Sequence, residues 1–214
     1  MVIALDGGAA SGKSSTAKIL AKQLNLLHVD TGAHYRTIAF ILLKNDIYPS
    51  NHELIVNKLK NFKIGSMIEG RDILMTINGV LLGQDDLRSP LVNQNVSSFS
   101  AVPEVRHFLL EYQRSQVEFA AKNGFDGLVM DGRDIGSIVL PKANFKFFLE
   151  ADPATRYSRR ALQGHQDAIV ARDQLDSSRT TAPMVCASDA VRIDTSHLTL
   201  EEVANHILAI ILNY

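Results

Sequence analysis

The chain has 214 residues, 46% of them hydrophobic, enough for one large domain or a core carrying a small insertion, so disorder is not expected. A formal net charge of -1 gives no general attraction to polyanions, which argues against a nucleic-acid polymer as the main partner. A single cysteine excludes an internal disulfide framework. There is no signal-peptide pattern at the start and no apolar run near the ~18 residues of a membrane span, so a soluble cytoplasmic protein is expected.

The apolar run 2–5 reads as a buried parallel strand, and residues 14–24 carry helical periodicity. Between them stands G-G-A-A-S-G-K-S, with Gly7, Gly12, Lys13 and Ser14 at the fixed places of a phosphate-binding loop. Glycine lets the backbone curl until several N–H groups face one anion. A lysine can reach the terminal phosphates, and a serine can offer oxygen to Mg²⁺. The loop as a whole, Gly7, Gly8, Ala9, Ala10, Ser11, Gly12, Lys13, Ser14 and Ser15, is the candidate phosphate-binding site.

A second short strand, 26–29, ends at Asp30 and is followed by T-G-A-H-Y-R. In open α/β sheets ligands sit beyond the carboxyl ends of strands, which places Asp30, Thr31 and Arg36 near the loop. Arg36 reads as a site for a second anion or as a solvated helix charge. Tyr35 reads as partial core or as an acceptor contact. Helices follow over 33–43 and 52–59, with Pro49-Ser50 between them. Two short apolar segments, 73–77 and 80–82, flank Asn78-Gly79, a hairpin signal. Residues 61–87 are therefore expected to form a small antiparallel insertion hung from the main domain.

Helical pattern returns at Ser89-Pro90 and runs strongly over 105–120, where Arg106 borders the apolar stripe and, from the pattern alone, reads better as a helix-surface arginine than as a ligand contact. The strand 128–130 rises to Asp131-Gly132-Arg133-Asp134, whose charges should face the same crevice. Asp131 there can hold the Mg²⁺ shell through water, and Arg133 can neutralise a phosphate. After a strand at 145–149, Asp152-Pro153 starts a helix carrying Arg156, Arg159 and Arg160. A second helix, after Gly164, carries Arg172, Asp173, Asp176 and Arg179. This arginine-rich pair, roughly 156–179, suggests a lid. A strand at 190–194 and an amphipathic helix at 200–212 close the chain.

Taken together, the loop, D-T-G-A-H-Y-R, R-S-P, V-R with Q-R downstream, D-G-R-D-I-G, R-D-x-x-D-x-x-R-x-x-A-P and I-D-T-S resemble bacterial cytidylate kinases over nearly the whole chain. The resemblance implies phosphoryl transfer from MgATP to CMP or dCMP by a single P-loop domain. It implies a three-layer α/β fold with a five-stranded parallel sheet in the order 2-3-1-4-5, an acceptor-binding insertion at about 32–105, and a short helical lid. Carried over by motif, Thr31, Arg36 and Arg133 would hold the acceptor phosphate. Ser97, Arg106 and Asp134 would meet cytosine, and Arg172, Asp176 and Arg179 would line the sugar. Lys13, Arg36, Arg133, Arg159, Arg160 and Arg179 would neutralise charge during transfer.

Three positions depart from the family pattern. Gly8 stands where a proline is usual, His34 replaces an apolar residue, and only 11 residues separate Arg160 from Arg172. No exposed apolar stripe is evident, so a monomer is expected. The competing readings are a kinase for UMP, AMP or shikimate, and a non-catalytic nucleotide-operated switch.

Overall fold

The computed structural model describes residues 1–162 and 169–213. The expected stop at Gly164 and the middle of the expected lid lie outside the described residues. Among the described residues seven strands form one sheet: β1 (Val2–Gly7), β2 (Leu27–Asp30), β3 (Ile64–Glu69), β4 (Asp72–Ile77), β5 (Leu128–Asp131), β6 (Phe145–Glu150) and β7 (Val191–Asp194). Their order is β3-β4-β2-β5-β1-β6-β7, and only β3 runs antiparallel to its neighbour. Described helices are α1 (Lys13–Gln23), α2 (Thr31–Leu43), α3 (His52–Leu59), α4 (Gln84–Leu87), α5 (Pro90–Ala101), α6 (Pro103–Lys122), α7 (Pro153–Leu162), α8 (Ile169–Ser178) and α9 (Leu200–Leu212). A π-helical turn, Ile135–Val139, follows β5.

The central strand β1 shows why this sequence builds layers. Alternate side chains leave a strand on opposite faces, and both faces here are covered by apolar groups. Ile3 and Leu5 pack with Leu20 of α1 and with Val203 and Ile207 of α9. Ala4 faces the other way, against Val29, Met130, Ala120 of α6 and Ile135. A third cluster, built on Ile38, Leu42, Ile55, Phe99 and Leu109, fills the space between α2, α3, α5, α6 and β4. The α9 start is fixed by a capping box in which Thr199 and Glu202 each satisfy the other's backbone N–H.

The expected five-stranded sheet is corrected to seven strands. The strands β2, β5, β1, β6 and β7 are contiguous, and the hairpin β3-β4 joins their edge through a single parallel pair, His28 with Asp72. The expected hairpin is also displaced. Its turn is at Gly70-Arg71, where Gly70 has φ 61, and Ile64–Glu69 pairs with Asp72–Ile77. Asn78-Gly79 does make a tight reversal, with φ 53 and 78, but only Ile77 and Val80 pair across it. Instead of closing a hairpin, Asn78 seals the end of β3-β4 by exchanging two 2.8 Å hydrogen bonds with Lys63. Gly65-Ser66 blurs the apolar alternation of β3. This is why the Asn-Gly pair outweighed it in the sequence.

Candidate active site

The carboxyl ends of β1, β2 and β5 meet in register, with Asp131 paired to both Leu5 and Asp30. A cleft of about 500 Å³ opens over them. On its donor side, Gly7 leaves β1 with φ 142, and a Cβ there would lie 2.0 Å from the Leu149 carbonyl oxygen. Gly12, at φ 95, turns the loop into α1. The loop curls around Lys13, whose Nζ donates to the Gly8 carbonyl at 2.6 Å and lies 3.4 Å from Ser11 Oγ. Burial, then repulsion from Arg133, pushes the Lys13 amine down to about 7 despite nearby Asp131, Asp173 and Asp6.

The loop already holds one anion. Asp173 of α8 accepts from the Ala9 amide at 2.9 Å and pairs with Arg156 of α7, which donates to the Ala9 carbonyl at 3.3 Å. A Cβ on Gly8 would sit 2.8 Å from both Arg156 Nη1 and Asp173 Oδ2, so the glycine at this unusual position makes room for the pair. A buried, charge-starved lysine beside amides that attract a carboxylate fits a polyphosphate.

Below the loop, Ser14 Oγ donates to Asp131 Oδ1 at 3.2 Å. No group of three or more His, Cys, Asp or Glu stands ready for a metal among the described residues. A cation at Ser14 and Asp131 would therefore take most of its oxygens from water and phosphate, as Mg²⁺ does. The other Asp131 oxygen lies 2.8 Å from His28 Nε2, while His28 Nδ1 lies 2.5 Å from Asp72. Burial alone would lower His28, but its bonds to Asp131 and Asp72 raise it to about 9. For Asp30, burial opposes ionisation, yet the His28 charge and the Ala33 amide hold its carboxyl below the usual range.

Across the cleft from the loop, Thr31, Tyr35, Arg36, Ser97, Arg133, Asp134, Arg160, Arg172 and Asp176 line the wall. Arg36 is buried, and that burial, with Arg172, Arg88 and Arg160 nearby, pushes its guanidinium down to about 9. Its Nη1 donates to the Leu87 carbonyl at 2.9 Å and to Asn93 at 2.6 Å. Arg133 donates to Asp176 at 3.1 Å. Asp134 pairs with Arg106, which also donates to the Ser100 carbonyl at 3.1 Å and lies 5.5 Å from the Tyr35 ring centre. Arg179 donates to Ser100 Oγ and to the Asp176 carbonyl at 3.0 and 3.1 Å. Arg106 and Arg179 thus stand one side chain behind the wall.

Arg159 departs further from its expected place. It turns away from the cleft and donates to the Thr195 carbonyl at 2.6 Å and to Thr195 Oγ1 at 3.0 Å, because the carbonyls after β7 offer it a closer set of acceptors. His34 lies in the packing between α2 and α6, with its ring 5.1 Å from Tyr112, and burial pushes it down to about 4. Sequence reasoning missed Lys18 and Arg88 in the cleft and His28 and Asp72 beneath it. Arg88, just before Ser89-Pro90, carried a local signal. Nothing local distinguished the others.

A family model described as Cytidylate kinase matches residues 3–213. Curated relatives named Cytidylate kinase include one from Clostridium tetani, 37% identical over 99% of this chain and 93% of that protein. Others are from Geobacillus sp. at 39% and Ligilactobacillus salivarius at 40%, each match covering 98% of this chain and 95% of the relative. Among solved structures, an uncharacterized protein from Eubacterium ventriosum covers 100% of this chain and 99% of its own, at a TM-score of 0.53 and 12% identity, a likeness of fold alone. With the phosphate loop, the arginine-lined acceptor wall and a match that runs almost end to end, the chain belongs to the cytidylate kinase family.

Proposed function

We propose that this chain transfers the γ-phosphoryl group of MgATP to CMP or dCMP, giving CDP or dCDP. Family membership supports the reading, and one observation carries it. A single cleft has a buried lysine in an amide-lined loop on one side and a cluster of arginines on the other. Two cationic regions sharing one cleft of about 500 Å³ can bring two phosphate groups together, as transfer between nucleotides requires.

In this reading the loop from Gly7 to Ser15 cradles the ATP phosphates, and Lys13 reaches toward the transferred group. Ser14 would hold Mg²⁺ directly and Asp131 through water. When bound, the ion supplies positive charge against the phosphate oxygens. Thr31, Arg36 and Arg133 orient the acceptor phosphate, while Arg172, Asp176 and Arg179 border the sugar. Ser97, Arg106 and Asp134 meet the base. Cytosine offers an amino donor at N4 and acceptors at N3 and O2, so a carboxylate and an arginine discriminate it from uracil.

The attacking oxygen is already ionised, so no general base is required. Catalysis becomes alignment and charge neutralisation, completed as the lid at about 156–179 excludes water. Arg160 faces the cleft and serves that role, whereas Arg159 anchors α7 to the segment after β7. The proposed unit is one domain with its acceptor side at about 32–105, acting as a cytoplasmic monomer. Among the described residues no helix is long and apolar enough to cross a membrane.

Replacing Lys13 or Arg36 by alanine tests the assignment. Each should lower kcat by orders of magnitude while the fold persists by circular dichroism. Near-normal turnover by either variant would overturn it.

A further inference from the structure

We propose that His28 is a positioning residue that holds Asp131 in place, and that the hairpin β3-β4 is part of this support through Asp72. The proposal rests on the reading above, in which Asp131 carries the metal's water shell. The two oxygens of Asp131 are divided between partners: Oδ2 lies 2.8 Å from His28 Nε2 and Oδ1 accepts from Ser14 at 3.2 Å. Its backbone is tied as well, since Thr31 Oγ1 donates to the Asp131 carbonyl at 2.8 Å. The carboxylate plane is therefore set from both edges, and Asp131 is only 3% exposed, so a lost partner is not simply replaced by bulk water.

His28 is itself held. It is buried on β2, and Nδ1 faces Asp72 Oδ1 at 2.5 Å, while Asp72 Oδ2 accepts from Lys18 of α1 at 3.0 Å. An imidazole with a carboxylate at each nitrogen can satisfy both only by donating from both, so the ring is locked in orientation. Asp72 is also the residue through which β4 reaches β2. The result is a continuous chain, Lys18, Asp72, His28, Asp131 and Ser14, that begins and ends on α1 and passes through the insertion. Partners behind a metal-side carboxylate orient it, and losing such a partner typically weakens metal binding by about ten-fold or more.

The test compares wild type with His28→Leu, His28→Gln, Asp72→Asn and Asp131→Asn. Two readouts are taken on intact protein: half-saturating Mg²⁺ at saturating ATP and CMP, and Mn²⁺ affinity with ATP by electron paramagnetic resonance, with thermal melting as the folding control. His28→Leu should weaken both metal readouts by about ten-fold while KM for CMP stays within about two-fold. His28→Gln, which keeps one donor, should recover part of the loss, and Asp72→Asn should shift in the same direction by less. Lower melting with unchanged metal readouts in His28→Leu, set against a clear loss in Asp131→Asn, would make His28 merely structural and sink the proposal. No loss in Asp131→Asn would sink the metal assignment itself. If wild type failed to phosphorylate CMP, the Mn²⁺ measurement would still decide the role of His28.

Discussion

The phosphate-loop lysine should be a burden to the empty protein. Lys13 is 6% exposed, and burial with the Arg133 charge lowers its amine from 10.5 to about 7. A lowered lysine means that, between those values, the unfolded chain binds a proton the folded chain does not, so folding stability rises with pH through the window. Each pH unit is worth about 1.4 kcal/mol, so Lys13 should add about 2 kcal/mol of stability between about pH 7 and about pH 8.5. His28 acts oppositely. Raised from 6.5 to about 9, it contributes stability that is full below 6.5 and is lost as pH rises through about 9. Wild type therefore shows only the sum of two opposing slopes.

Lys13→Met separates them, because it keeps the apolar stem and removes the amine. The assay is urea unfolding of nucleotide-free, EDTA-treated protein at several pH values. The difference, wild type minus variant, should rise by about 2 kcal/mol across that interval, and at neutral pH the inactive variant should be at least as stable as wild type. Parallel stability curves for the two proteins would refute the claim that an unneutralised lysine sits in the loop.

Other expectations follow from packing and pairing. Phe99 is fully buried in the cluster between the insertion helices, and Phe99→Ala should cost about 3–5 kcal/mol by denaturant unfolding. Thr199→Ala removes one half of the α9 capping box and should cost about 1 kcal/mol, with kcat unchanged. Arg106→Met leaves the buried Asp134 without its closest partner and should destabilise by about 3–5 kcal/mol, whereas adding Asp134→Leu should recover much of that loss in a double-mutant cycle.

The donor half of the site was legible because its chemistry is contiguous. Strand, glycine loop, lysine and helix occupy residues 2–23, so a short stretch of chain carries the whole signal. Asp131 and Arg133 were legible by position at the end of a buried strand. Arg159 and Arg160 are adjacent in sequence, but neighbouring helix positions leave on different sides, so Arg159 reaches the Thr195 carbonyl while Arg160 lines the cleft. The support beneath Asp131 was hidden for a related reason. His28 and Asp72 are 44 positions apart and meet only because β4 docks on β2, where a single residue pair is in strand register and no local pattern foreshadows it. Gly8 was readable as a departure, but its purpose depends on Arg156 and Asp173 arriving from α7 and α8.

The most direct measurement is ADP formation from MgATP with CMP, dCMP, UMP, AMP or no acceptor, run in parallel on wild type and Lys13→Ala. The account predicts fast turnover with CMP and dCMP alone, lost in the variant. Preference for another monophosphate, or silence with every acceptor despite ATP binding, would contradict it.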